Sequence, residues 1–542
     1  MTEAEVPPAR ASVVPNGTVA AVSLFIAALG AAFYGWVCFV VLPALDPPNF
    51  GTTIYDQAWL ALMEGRLDLP ARVLRFEGHY APDGTGYLYH GAAPLITRAL
   101  AAPFIEIGSV SLAPWSIWLW AVVGTAFYHR AFLTAAAAPH AAGGQVGHTG
   151  QARALIWSAV LAVTLWFGGP GLILASNISF YHEPIAVAYG LGGIALWLWG
   201  RSFRAGGPEA GALIGLAICA AVMVHARPHL AVALYVGVCL SLLWVLLRSG
   251  RRALVPVAVS FAILGAGGGS YLALNEARFG SPLQAHGSFD GEGVQYGLGF
   301  WGIVDPDEGG FNNFRNHGRF NPRRIPPNAM VYAASPPHPL GFFAPYYDGM
   351  QALHGALTVE RPRVGYVRLE PIHAGTFWIW TSGMIVALAS VAAGRTAWIR
   401  MAGPVLTGFI AAGFILSYPT VTMRYHIDLW LAIAPFAFLG ISAVFRHLAR
   451  VRFARPAPLL LAAACATGII FNVTMADVYR IGFQEHSGGF FGPWSEELCR
   501  EKARDVGLAP DDIEVTCRPP LAPATAAGAG PLAGDRAPEP EG

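Results

Sequence analysis

The chain has 542 residues, 54% of them hydrophobic and only 12% charged, with a mean hydropathy of +0.47. Soluble domains carry roughly 25% charged residues, so a string of soluble domains is excluded and one polytopic membrane domain is expected. A net charge of +1 provides no global field for nucleic acid, and Lys502 is the only lysine in a basic set otherwise made of arginine.

A membrane-crossing helix needs about 20 mostly apolar residues. After an N-terminal tail (1–18), loose over 1–15, eleven such stretches follow, at 19–43, 111–128, 153–174, 184–200, 210–225, 229–247, 253–274, 373–393, 401–418, 427–445 and 457–473. The first is too long for a signal-peptide core and has no clear small-residue cleavage site, so it reads as a retained anchor. The expected fold is an all-α polytopic domain over 19–473 with no convincing internal repeat. Arginines mark alternate loops: Arg130 and Arg153; Arg201 and Arg204; Arg248, Arg251 and Arg252; Arg395 and Arg400; Arg446, Arg450, Arg452 and Arg455. The positive-inside rule puts these loops and the N-terminus in the cytoplasm. Segments 44–110 and 275–372 and the region after 474 then face the periplasm or exterior, as in a multi-pass inner-membrane protein.

The first outer loop contains a short helix. Tyr55, Ala58, Trp59, Leu62 and Met63 repeat with helical periodicity, and Gly65 can end the run. Such a helix would lie on the membrane surface. Asp56, about 100° from Tyr55, would border the buried stripe and face a cavity at the water boundary; the plainer alternative is a first-turn carboxylate favoured by the helix dipole. Asp46 lies just upstream, Asp83 in PDGTG reads as a turn residue, and Asp68 as a solvated one. In the return YLYHG, Tyr87, Tyr89 and His90 are candidates to hydrogen-bond a sugar or phosphate, or are interfacial anchors.

Further along, His182 and Glu183 in SFYHEP open the fourth span. Glu183 would orient a sugar hydroxyl or hold a divalent cation with His182; the bland alternative is a helix-N-terminal carboxylate before Pro184. His225 and His229 have a metal-like spacing, but Pro228 breaks the helix between them, so no metal is assigned. Three arginines sit near outer span ends: Arg227 in HARPH, Arg278 in NEARFGS and Arg424 in TMRYH. Charges at that depth mark function, or else anchor the interface or pair with Glu276 or Asp428. The segment 275–372, rich in Gly, Pro, Asn and aromatics, reads as an ordered cap over a cavity, with a ligand-free plug as its alternative. Cys38, Cys219, Cys239 and Cys465 fall in apolar spans as small hydrophobes. Cys499 and Cys517 lie in the outer segment 474–518, where an oxidising exterior would let them pair. Residues 519–542 have a disordered composition.

Four stretches in order, IYDQAWLALMEGRL, GYLYHGAAPLITRALAAPF, LNEARFGSPL and MRYHIDLWLAIAPF, resemble bacterial members of the glycosyltransferase C-superfamily, of the family 39-like and lipid A or oligosaccharide sugar-transferase kind. The resemblance spans about residues 20–445 and rests on the order of four weak motifs. It implies many helices, a catalytic carboxylate in the first outer loop, a polyprenyl-phosphate-linked sugar donor and inversion at the anomeric carbon. Several such enzymes have an Asp-Glu pair where this chain has Asp56 and Gln57, which leaves the base open.

The expected activity is transfer of a hexose or pentose to an envelope glycan, lipid or protein. Asp56 or Asp46 would accept the acceptor's proton. Arg424 with Tyr425 and His426, then Arg227 and Arg278, would hold the leaving phosphate. Two alternatives are a lipid-linked glycan polymerase or ligase, with no need of a first-loop Asp, and a lipid or sugar transporter. The nearly uncharged spans disfavour the transporter.

Overall fold

The computed structural model describes residues 17–44, 51–137, 148–202, 209–288, 293–303, 315–337, 343–358, 363–370, 373–450, 456–488 and 495–518. Asp46 and the tail 519–542 lie outside them. The described chain is mostly helical. Five stretches among these residues are long and apolar enough to cross a membrane: Gly17–Ala44, Ala152–Ala175, Pro228–Phe279, Met423–Leu448 and Pro456–Phe483. Shorter apolar helices cover Ala210–Met223, Thr381–Ala392 and Ala402–Ser417. The longest stretch is two helices, Pro228–Ser249 and Leu254–Phe279, separated at Gly250–Ala253. This is an integral membrane protein, and each of the eleven expected stretches carries a helix.

Packing inside the bundle uses large aromatic side chains, several of whose polar tips find a partner away from water. Tyr34 donates its hydroxyl proton to the Trp166 carbonyl at 2.7 Å, and the hydroxyls of Thr125 and Tyr189 lie 3.1 Å apart. Trp166, Trp199 and Trp380 are buried, tying Gly17–Trp36, Ala113–Ala137, His182–Ser202 and Met423–Arg450 into the core.

The all-α expectation needs one correction. Beside the bundle lies a four-stranded sheet of two-residue strands: β1 (Asp68–Leu69), β2 (His79–Tyr80), β3 (Gly86–Tyr87) and β4 (Gln295–Tyr296), in the order β1-β3-β2-β4. All pairs are antiparallel, and His79 faces both Tyr87 and Tyr296. Strand β4 comes from the second long segment, so this ladder joins two loops more than 200 residues apart in sequence. No hydrophobic period marks such short strands, and backbone pairing across loops leaves no local sequence signal. A parallel pair joins β5 (Arg368–Leu369) to β6 (Thr420–Val421).

The C-terminal helices Glu496–Asp505 and Pro510–Cys517 pack on the same region. Cys499 and Cys517 are disulfide-bonded with Cα atoms 5.5 Å apart. Both join Ile54, Tyr55, Leu74, Tyr80, Phe300 and Trp301 in a small buried cluster. Arg72 and Asp512 add an ion pair at 3.0 Å.

Candidate functional site

The helix Ile54–Met63 forms where the periodicity places it, and Gly65 ends it with φ +74°, a conformation that a side chain would strain. Its polar face is not where the sequence puts it. Asp56 is buried, 1% exposed, and does not face the water boundary. Arg98, on the helix Leu95–Ala101, donates from Nε to Asp56 Oδ1 at 2.8 Å, and the Leu112 N–H donates to Oδ2 at 3.3 Å. The same guanidinium reaches Glu183, with Nη2 3.2 Å from Oε1 and Nη1 on Oε2. One fully buried arginine thus clasps two buried carboxylates. Burial pushes the Asp56 carboxyl above the ordinary carboxylate range, with Arg98 and the Leu112 amide pulling it back. The packing reason is Tyr55: fully buried and donating to the Gly91 carbonyl at 3.2 Å, it turns the helix so that Asp56 points at Arg98. Sequence reading missed Arg98; a basic residue within an apolar return was its signal.

The other site is an open cavity of about 460 Å³ where several helix ends meet. Its lining brings together Tyr89, His90, Arg227, Arg424 and Tyr425 from the expected set. It adds His229, which the sequence offered only in a discounted metal pair with His225, and Tyr181, His286, Tyr296, Arg319 and Tyr418, which sequence reading did not single out. His286, Tyr296 and Arg319 come from the second long segment, which therefore supplies part of the cavity wall.

Local structure explains how each arginine arrives. Pro228 occupies the first turn of Pro228–Ser249, where its missing N–H costs nothing, and leaves Arg227 extended at the N-cap. The first loop's return lies directly on this turn: Ala93 N–H donates to the His225 carbonyl at 2.8 Å, and a Cβ on Gly91 would come within 1.9 Å of that oxygen. Only glycine fits there. Arg227 then bonds Asp428, Nε to Oδ2 at 3.1 Å, with His229 Nε2 3.7 Å from the same oxygen. Arg424 is the second residue of Met423–Arg450. The β5–β6 pair sets Glu370 beside it, and Nη2 donates to Glu370 Oε1 at 3.0 Å. Arg227 and Arg424 flank the Tyr425 ring at 5.2 and 5.5 Å, and Arg424 also covers Tyr181 at 5.1 Å. Arg319 donates to the Tyr296 hydroxyl at 2.8 Å.

The imidazoles beside these arginines are neutral. Burial pushes His79, His90 and His286 well below the ordinary histidine range, and nearby guanidinium groups, with the other imidazoles for His79 and His286, push the same way. His79 stacks on Tyr89 at 4.4 Å and accepts the Gly287 N–H on Nδ1, while buried Nδ1 atoms of His90 and His286 have no partner among the described residues. The wall thus pairs fixed cations with neutral rings that donate or accept hydrogen bonds.

Several expected residues stand elsewhere. His426 turns away from Tyr425: its Nδ1 meets the Thr422 carbonyl at 3.0 Å and its ring packs on Tyr332 at 4.6 Å, because consecutive helical residues point about 100° apart. Arg278 does not line the cavity; it donates to the Leu88 carbonyl at 2.7 Å and to Asn275 Oδ1 at 3.1 Å, bracing the return that carries Tyr89. Tyr87 sits in β3, outside the lining. His182 is buried between Ser179 Oγ and Tyr479 OH, each 2.8 Å away, and points away from the Arg98 clasp that holds Glu183. Among the described residues no group of three or more His, Cys, Asp or Glu side chains is arranged to hold a metal.

No family model matches the chain, and no curated protein matches it in sequence. Among solved structures it is similar to the archaeal oligosaccharyltransferase AglB from Archaeoglobus fulgidus, in complex with an inhibitory peptide and a dolichol-phosphate. The two are 14% identical with a TM-score of 0.44, over 92% of this chain and 60% of AglB. The chain therefore spans about 60% of that protein's length.

Proposed function

We propose that this protein is a membrane glycosyltransferase that moves a sugar from a polyprenyl-phosphate-linked donor to an envelope glycan, lipid or protein, with inversion. One observation carries the reading: a cavity of about 460 Å³ at the helix ends, lined by Arg227, Arg319 and Arg424 amid tyrosines and neutral imidazoles. That volume falls in the range of small-molecule sites, about 300–1,000 Å³. A phosphate leaving with its bonding electrons needs preorganised positive charge, which guanidinium groups supply with directed N–H donors. Aromatic faces and neutral ring nitrogens suit a sugar, whose hydroxyls need both donors and acceptors. Apolar helices beside the cavity provide a path for a prenyl tail from the bilayer.

In this reading Arg424, Arg227 and Arg319 hold the donor phosphate, and Tyr89, His90 and Tyr296 the sugar. Asp56 and Glu183 hold the first loop in place through Arg98. The Cys499–Cys517 disulfide, packed against that loop, supports an oxidising compartment on the cavity side. It agrees with the arginine-marked loops, which support a cytoplasmic opposite face in an inner membrane.

The test is reconstitution in lipid nanodiscs with radiolabelled polyprenyl-phosphate hexoses and pentoses and envelope membranes from a deletion strain. Label appearing in an envelope product, with free polyprenyl phosphate released, is the expected result. Movement of intact donor across vesicles without transfer would replace this reading with transport, and turnover only of pyrophosphate-linked oligosaccharides would replace it with polymerisation or ligation.

A further inference from the structure

Three rings of the cavity wall converge on one residue outside the lining. His79 is 1% exposed at the start of β2. Its imidazole stacks on Tyr89 with centroids 4.4 Å and planes 7° apart, and it meets Tyr296 at 4.2 Å and His286 at 5.8 Å. Tyr89 comes from the first loop, Tyr296 and His286 from the second long segment, and all three line the cavity. Backbone pairing fixes this arrangement. His79 stands directly opposite Tyr296 across β2 and β4, and opposite residues of an antiparallel pair share a face. Gly297 packs so tightly on the Phe76 and Gly78 carbonyls that a Cβ would come within 2.3 Å of the former and 2.5 Å of the latter, which holds β4 close to β2. The Gly287 N–H donates to His79 Nδ1 at 2.6 Å and ties down the backbone that carries His286. Burial, then His90, Arg319 and Arg278, hold the imidazole well below the ordinary histidine range, so Nδ1 keeps its lone pair at neutral pH. Phenylalanine would supply the ring without the acceptor and asparagine the acceptor without the ring; histidine supplies both.

We infer that His79 is the positioning residue for the sugar side of the cavity: its ring holds Tyr89 and Tyr296, from two separate loops, at the spacing that selects the transferred sugar. The inference rests on the glycosyltransferase reading, which gives those two tyrosines to the sugar. A hexose and a pentose differ by one hydroxymethyl group, and only a wall of fixed width tells them apart. Contact residues keep such a width when their own rotamers are locked by packing and hydrogen bonds behind them. Loops alone do not provide this; a shared ring between them does. The phosphate side is built differently. Arg227 and Arg424 are carried by Pro228–Ser249 and Met423–Arg450 and held by Asp428 and Glu370, so the width set by His79 leaves them in place.

The experiment separates the ring from the acceptor with three variants in nanodiscs. His79→Leu removes both, His79→Asn keeps an acceptor and loses the ring, and His79→Phe keeps a ring and loses the acceptor. KM and kcat are measured for each polyprenyl-phosphate hexose and pentose with envelope acceptor. The Kd of polyprenyl phosphate, which carries no sugar, is measured separately. The two ring-free variants are expected to raise the KM of the preferred donor roughly tenfold, the worth of one or two aromatic contacts. They should also lose most of the wild-type preference between hexoses and pentoses, with kcat little changed, as when ground-state and transition-state binding weaken together. Their Kd for polyprenyl phosphate should stay within about twofold of wild type, as for independent sites. His79→Phe is expected to keep the wild-type preference. Ring-free variants with the wild-type KM and preference overturn the inference, and so does His79→Phe falling as far as they do. A matching rise in the Kd of polyprenyl phosphate, or failure of both ring-free variants to fold, makes His79 a packing residue and overturns it as well. So does a wild-type chain that uses hexoses and pentoses equally. A wild-type chain that transfers from no donor overturns the glycosyltransferase reading itself.

Discussion

The Arg98 clasp and the outer cavity are built from the same ingredients and differ in one respect, exposure. In the clasp one arginine meets two carboxylates, and the side chains of Arg98, Asp56 and Glu183 are 0%, 1% and 0% exposed. In the cavity three arginines line an open space, and Arg424 and Arg227 remain 10% and 13% exposed beside their partners. A sealed ion cluster has no face left for a ligand; its removal changes folding. An open cluster with more cations than carboxylates keeps a face for an anion. Charge in an apolar protein thus marks two different things, and access to the cavity separates them.

The comparison breaks most sharply at Arg98. Arg98→Met strands two buried carboxylates, at a cost of about 3–5 kcal/mol, and is expected to abolish the monodisperse peak in size-exclusion chromatography. Neutralising the partners as well, with Asp56→Asn and Glu183→Gln, is expected to restore it, because replacing a whole buried ion cluster is often close to neutral. Survival of Arg98→Met alone would mean that the clasp is not structural.

The next largest effect concerns the support of the first loop. Cys499→Ser with Cys517→Ser opens an 18-residue separation, worth about 3 kcal/mol by loop-closure entropy. Hydrogen exchange is expected to rise at 68–87 and 495–518 while the bundle core stays protected. Uniform exchange across the chain would show that this region is not a separate layer.

On the cavity side, Arg424→Ala removes a charge-assisted contact worth about 1.5–3 kcal/mol, which is roughly 10- to 150-fold in affinity for polyprenyl phosphate by a direct binding assay. Folding should suffer less than at Arg98, since one carboxylate, Glu370, loses its partner here and two lose theirs there. Equal loss of fold in the two variants would mean that Arg424, like Arg98, serves the fold.

The smallest effect is in pH. The folded pKa values of His79, His90 and His286 lie below the unfolded value of about 6.5. Their contribution to stability is complete above that pH and is lost as the pH falls through and below it, because the unfolded state binds the proton more tightly. Thermal unfolding followed from about pH 7.5 down to 5.5 should show this decline. His286→Phe should flatten it by at most about 1.4 kcal/mol per pH unit; an unchanged slope would mean that the cavity imidazoles are not the groups titrating.

By itself the sequence determined the helices. Apolar runs of membrane length follow from composition, and Pro228 and Gly65 mark their turns because proline lacks an N–H and glycine tolerates positive φ. It also determined that Arg227 and Arg424 lie at helix ends, since each borders an apolar run. Only the tertiary structure decided which charges share a space. Asp56 and Arg98 are 42 residues apart, Arg98 and Glu183 are 85 apart, and Arg227 and Asp428 are 201 apart. Periodicity reports the face of a helix and not what that face meets. For that reason Asp56, placed by its stripe at a water boundary, is sealed beneath Tyr55. Tyr296, from a segment with no period at all, reaches the cavity on a two-residue strand whose pairing no local pattern encodes, and Arg319 joins it there by donating to its hydroxyl.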